Sequence, residues 1–115
     1  MKEKALKIIE HYGVSHQLKK LSEEVFELQE SIEDYERQKN VCQEFCSRLH
    51  CDKELEHMEE EFADVMVLLS QIKYYYELDS ERIKEIMKQK VDRQLDRMKE
   101  EWSNDRKILW RCSNS

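Results

Sequence analysis

The chain has no proline and one glycine, Gly13, in 115 residues. Those two residues mark tight turns, bulges and strand ends, so their scarcity excludes a fold of many short strands joined by close turns. No apolar run approaches the roughly 20 residues needed to cross a bilayer. Met1 to Ala5 carries charge without a signal-peptide core or cleavage site behind it, so the expectation is a cytoplasmic protein with no membrane partner. Positive charge is in deficit: 20 Lys and Arg stand against 26 Asp and Glu, a net charge of -6. That balance argues against a general nucleic-acid binder, whose footprint is a basic face. An anionic nucleotide would need a metal ion to be drawn to such a surface. Cysteine is modest at four positions, Cys42, Cys46, Cys51 and Cys112, which read as reduced thiols and not as a disulfide framework.

What is present is charge, at 40% of residues, together with abundant Glu, Lys, Leu and Met. Without helix breakers this composition predicts an all-α protein, a helical bundle of about four to five helices. A chain this short buries only roughly two-thirds of its unfolded surface. Long helices with narrow apolar stripes then imply a core completed by oligomerisation, in a homodimer or homotetramer. In chain order, a first helix is expected over 2–12, with Gly13 at its end in a left-handed cap and Ser15 capping the next helix, 16–39. Leu18, Leu21, Val25, Leu28 and Ile32 form that helix's apolar face. A break at Asn40 and another at Cys51-Asp52 would bring Glu27 and Glu61 within about one turn of each other across an antiparallel pair, so a short connecting helix is expected at 41–50. The third long helix, 53–78, shows Met58, Phe62, Val65, Leu68, Leu69, Ile72 and Tyr76 on one face. Asp79-Ser80 caps the last helix, with Ile83, Ile86, Met87, Val91 and Met98 on its apolar side. Residues 1–101 read as a single helical domain and 102–115 as a tail, docked through Trp102 and Trp110 or frayed.

Several acids stand where an amphipathic helix does not need them. At about 100° per residue, Glu24 and Glu27 share one flank of the second helix's apolar stripe, while Glu23 points outward. Glu61 falls inside the apolar range of the third helix and Asp64 at its edge. An ionised carboxylate among Met, Phe, Val and Leu is costly unless it is paired or metal-bound. Surface acids belong where Glu59 lies. On the last helix Lys90 and Gln94 interrupt the apolar side, with Arg93 and Arg97 on a flank; cations facing inward acids suit a phosphate chain held between them. The plainer reading of the acids is a solvated helix face, and that of Lys90 and Arg93 is ordinary surface charge. Cys42, Cys46 and His50 recur every four residues with Cys51 beside them. These are zinc-ligand types, but no Cys-x-x-Cys knuckle joins them, and idle thiols are the simpler reading.

Glu23-Glu24-x-x-Glu27 followed by Glu61-x-x-Asp64 resembles the paired acidic signature of the MazG-type, all-α nucleoside triphosphate pyrophosphohydrolases. Tyr12-Gly13, Gln17-Leu18-x-Lys20-Leu21 and Ala63-Asp64-Val65 agree with its context, and Lys90-x-x-Arg93 is similar to its basic phosphate-side element. The resemblance spans roughly residues 5 to 98; the interval between the acidic motifs is longer than usual, and a proline-containing segment after the basic element is missing. It implies a MazG-like helical fold and magnesium, with manganese as a substitute, held by Glu24, Glu27, Glu61 and Asp64. It further implies a nucleoside triphosphate substrate contacted by Lys90, Arg93 and Arg97. The expected reaction is hydrolysis to a nucleoside monophosphate and pyrophosphate in nucleotide-pool house-cleaning. The alternative expectation is a non-catalytic dimeric helical interaction module with an acidic face.

Overall fold

The computed structural model describes residues 1–45 and 51–113, with side chains over 1–41 and 52–106. Cys42, Cys46, His50 and Cys51, readable as zinc ligands or idle thiols, lie with Cys112 and Trp110 outside the residues described to that level. Every element among the described residues is helical: α1 (Lys2–Tyr12), α2 (Val14–Phe45), α3 (Cys51–Tyr75) and α4 (Ser80–Ser113). The fold is all-α. The chain divides into two compact units, Met1–Glu77 and Leu78–Ser115.

In the first unit, α1 ends where the sequence predicts, at Gly13, which adopts φ 88° and donates its N–H to Ile9 O at 2.8 Å; its ψ of 152° is extended, which corrects the left-handed helical cap expected there. No other residue type takes that φ so cheaply. The expected cap at Ser15 is corrected. The Gly13 carbonyl already accepts from Gln17 N–H at 3.1 Å, so α2 begins at Val14, two residues before the predicted start. The expected break at Asn40 is also corrected, since α2 runs through it to Phe45. Asparagine in a helix costs only a few tenths of a kcal/mol, too little to stop a helix without a glycine or proline beside it. α3 ends in a turn closed by Tyr76 N–H to Ile72 O and Glu77 N–H to Tyr74 O, with Glu77 left-handed at φ 53°.

The buried apolar residues are Ala5 and Ile9 from α1, and Val65 and Leu68 from α3. α2 adds half-buried Leu21 and Leu28. Its fully buried residues are polar, Gln17 and Ser31, and Gln71 joins them from α3. The predicted apolar face of α2 is therefore rotated from the one that packs. Leu18, Val25 and Ile32 are exposed, as are Phe62, Leu69 and Tyr76 on α3. The reason is that polar side chains can be buried when they satisfy one another. Gln17 bonds Gln71, and the Ser31 hydroxyl donates to Leu28 O at 2.7 Å.

In the second unit, Asp79 caps α4. Its Oδ1 accepts from Glu81 N–H at 3.0 Å and Arg82 N–H at 3.2 Å, and its carbonyl accepts from Ile83 N–H. α4 continues through Trp102, whose ring lies 3.7 Å under the Arg106 guanidinium carbon. Helical geometry thus extends well past position 101.

Three substitutions test this account by chemical denaturation. Ile9→Ala should cost about 2–5 kcal/mol, as cavity-forming changes do, while Leu18→Ala should stay within about 0.5 kcal/mol. Asp79→Ala should lower the stability of α4 by about 1 kcal/mol.

Candidate metal centre

α2 and α3 run antiparallel in a register that can be read from their polar contacts. Gln17 Nε2 donates to Gln71 Oε1 at 2.7 Å. Glu24 meets Asp64, and Glu27 meets Glu61. The interval from Gln17 to Glu24 equals that from Asp64 to Gln71, and Glu24 to Glu27 equals Glu61 to Asp64. Each step back along α2 is therefore matched by a step forward along α3. Gln17, Glu24 and Ser31 recur at heptad spacing, which keeps them on one side of α2. The seam between the two helices is polar along that line, with leucines flanking it.

Glu24, Glu61 and Asp64 each offer a carboxylate oxygen, and the three oxygens lie within 4.8 Å of one another. Glu27 completes the cluster electrostatically: its carboxyl adjoins both Glu24 and Glu61, though it stands outside that group of three. Glu23 is exposed, as its angular position predicts. Lys90, Arg93 and Arg97 all lie on α4 in the second unit, and all are exposed.

The cluster is under electrostatic stress. Burial pushes the Glu24 carboxyl above its ordinary value of 4.5, reinforced by the charge and contact of Glu27 and then by Asp64 and Glu61. Burial likewise raises Glu61, followed by the charge of Glu27, with contact from Glu27 and the charge of Asp64 adding to it. His57, 3.8 Å away through Nε2, opposes that shift. The Glu61 side chain is only 13% exposed. Glu24 Oε2 and Glu61 Oε2 are both buried without a hydrogen-bond partner. Leaving a buried acceptor unsatisfied costs about 1–3 kcal/mol, more when it is charged.

These features fit a divalent cation bound by oxygen. Magnesium takes ligands at 2.0–2.1 Å, so opposite ligands stand about 4 Å apart, and it retains several waters. Three carboxylate oxygens within 4.8 Å can meet that need with small side-chain movements. The orphaned oxygens of Glu24 and Glu61 are then the groups that gain a partner.

A cavity of about 410 Å³ opens beside the cluster, sharing Glu24 and Asp64 as walls. Tyr12, Gln17, Lys20 and Gln71 line it further. The sequence singles out Gln17 and Lys20 only as context for the acidic motif and passes over Gln71. The usable signal was spacing, since Gln71 follows Asp64 at the interval by which Gln17 precedes Glu24. Comparison of the chain with family models, curated proteins and solved structures gives no match.

The raised carboxyls make a pH prediction. The folded protein holds these protons more tightly than the unfolded chain. Their contribution to stability is therefore full below about 4.5 and is lost as pH rises through the higher folded values of Glu24 and Glu61. In metal-free protein at neutral pH, Glu61→Gln should consequently raise stability, by about 1 kcal/mol or more. The gain should vanish at pH 4, as read from paired denaturation curves.

Proposed function

We propose that this protein is a magnesium-dependent nucleoside triphosphate pyrophosphohydrolase, releasing a nucleoside monophosphate and pyrophosphate. The observation that carries the reading is the pair of buried, partnerless oxygens on Glu24 and Glu61, with Asp64 close enough to share a cation. A helix pair designed only for stability would replace those acids with apolar residues, because buried unpaired charge is strongly unfavourable.

In this reading Glu24, Glu61 and Asp64 hold Mg2+, with Mn2+ as a substitute, and Glu27 supports them from its contacts with Glu24 and Glu61. The metal supplies Lewis-acid polarisation of a phosphoryl oxygen and lowers the pKa of bound water. The chain's own groups do the rest. The four acids concentrate negative charge where a free triphosphate would be repelled, which makes binding conditional on metal. Lys20, on the cavity wall beside Glu24, places an ammonium where it can offset phosphate charge. Lys90, Arg93 and Arg97 are proposed to serve the same end from α4. The apolar walls Ile8, Val67 and Leu68 limit the water that reaches the reacting phosphate.

The resemblance to MazG-type enzymes supports a role in clearing surplus or aberrant nucleotides from the cytoplasmic pool. It also supports a homodimer or homotetramer, and the exposed Val25, Phe62 and Leu69 supply apolar surface for another copy.

Purified protein with magnesium should release pyrophosphate from at least one member of a nucleoside triphosphate panel. Glu61→Ala should reduce that rate by more than the roughly 10–100-fold typical of losing a group that merely supports a metal site. A non-hydrolysable triphosphate with magnesium should stabilise the wild-type fold by about 2.7 kcal/mol at a hundredfold excess over Kd. A melting temperature indifferent to metal and nucleotide, with no pyrophosphate released, would instead identify an interaction module with an acidic face.

A further inference from the structure

The cavity beside the acid cluster contains a hydrogen-bond chain that runs from His16 through Gln17 to Gln71. His16 Nδ1 lies 3.0 Å from Gln17 Oε1, and Gln17 Nε2 donates to Gln71 Oε1 at 2.7 Å. Gln17 and Gln71 are 3% and 2% exposed, so neither amide is free to turn towards bulk water. A side-chain amide has one acceptor oxygen and one donor nitrogen. With Nδ1 of His16 carrying its hydrogen, Gln17 must point its nitrogen at Gln71. Gln71 must then spend its oxygen on that bond, which leaves its NH2 group to face the cavity that it lines.

The geometry points to a base-reading role for this chain: Gln71 presents donors only, and selects heterocycles with a carbonyl oxygen over those with an amino group at the same edge. Uracil, thymine and guanine carry such an oxygen at position 4 or 6; cytosine and adenine carry an amino group there. An amino group facing the Gln71 NH2 would set donor against donor in a buried site, where an unmade hydrogen bond is costly. The volume, about 410 Å³, falls in the roughly 300–1,000 Å³ range of small-molecule pockets. Tyr12 forms another part of the wall, and its ring stacks on His16 at 5.2 Å and 17°, which holds the imidazole in plane at the head of the chain. The cavity shares Glu24 and Asp64 with the proposed metal site, so a ligand with its phosphates on the cluster can place its base here. None of the sequence motifs discloses this preference, because it depends on contacts between residues far apart in the chain. The inference rests on the pyrophosphohydrolase reading for the triphosphate end of the ligand.

The test is calorimetric binding of non-hydrolysable triphosphates of uracil, guanine, cytosine and adenine, in magnesium, to the full chain. Wild type should bind the two carbonyl-bearing bases about 5- to 100-fold more tightly than the amino-bearing base of matching size. Gln71→Met removes the donors at similar volume and should bring each pair within about threefold. His16→Phe keeps an aromatic ring beside Tyr12, removes the hydrogen that orients Gln17, and should also shrink the preference. Because His16 is exposed, that variant decides the matter if Gln71→Met does not fold, as judged by its helical melting curve. Equal binding of all four bases, or a preference unchanged in the folded variants, overturns the inference and leaves the enzyme reading standing. Failure of every triphosphate to bind in magnesium overturns both.

Discussion

A 2.7 Å hydrogen bond between two buried glutamines, Gln17 on α2 and Gln71 on α3, fixes the register on which the rest of the first unit depends. Once that pair is set, the equal spacings along the two helices bring Glu24 to Asp64 and Glu27 to Glu61. A slip of one helical turn would place Glu24 opposite Leu68 and Glu27 opposite Val65. Either would bury an ionised carboxylate against a hydrocarbon side chain, at a cost of several kcal/mol. Apolar seams tolerate such slips far better, since one leucine contact resembles another. The polar seam thus selects one alignment from several that hydrophobic burial alone would leave close in energy.

The same seam carries opposed demands. The glutamines satisfy each other, and Ser31 satisfies itself on its own helix, but the carboxylates of Glu24 and Glu61 find no donor. Stability alone would remove them. Their position among half-buried leucines is the physical ground on which the cation-dependent function was proposed, because a divalent ion would convert mutual repulsion into shared attraction. Strain of this kind collects at sites that bind or react. The neighbouring cavity shares Glu24 and Asp64 with the cluster and has the basic side chain of Lys20 in its wall.

The all-α class, the long helices and the pairing of acids from α2 and α3 were legible from the residues themselves, while the separate connecting helix expected at 41–50 was not found, since α2 continues to Phe45. Missing breakers predicted the long helices, Gly13 marked the α1–α2 corner, and Asp79 marked the start of α4. Glu61 stood out because an acid inside an apolar range has a free-energy cost. The packed face of α2 was not legible. Periodicity counts apolar residues, and Leu18, Val25 and Ile32 outscore Gln17, Glu24 and Ser31 on that measure. Only the partner side chains across the seam reverse the order. Asn40 misled for a related reason: matching Glu27 to Glu61 was a sound constraint, but it fixes where two helices meet and not where either ends. Lys90, Arg93 and Arg97 lie on the last helix as the apolar pattern placed them, and all three are exposed there. Gln71 shows the limit of reading one element at a time, since its meaning comes from Gln17 and His16, more than fifty positions earlier.

Gly13 joins α1 to α2 through a single residue, and a Cβ added there would meet nothing within 4 Å. That could suggest a hinge, with α1 swinging to admit a ligand past Ile8 and Tyr12. Ile9 argues otherwise. It is 1% exposed and, with Ala5, supplies half of the fully buried apolar residues, so lifting α1 would return much of the core to water. Exposing the isoleucine alone forfeits about 1.5–3 kcal/mol. The wall that α1 gives the cavity is therefore in place in the free protein, and the nucleotide proposed to bind there would not meet the entropy cost of ordering a lid. Its affinity would come from shape already in place, and its association would be free of a slow closing step.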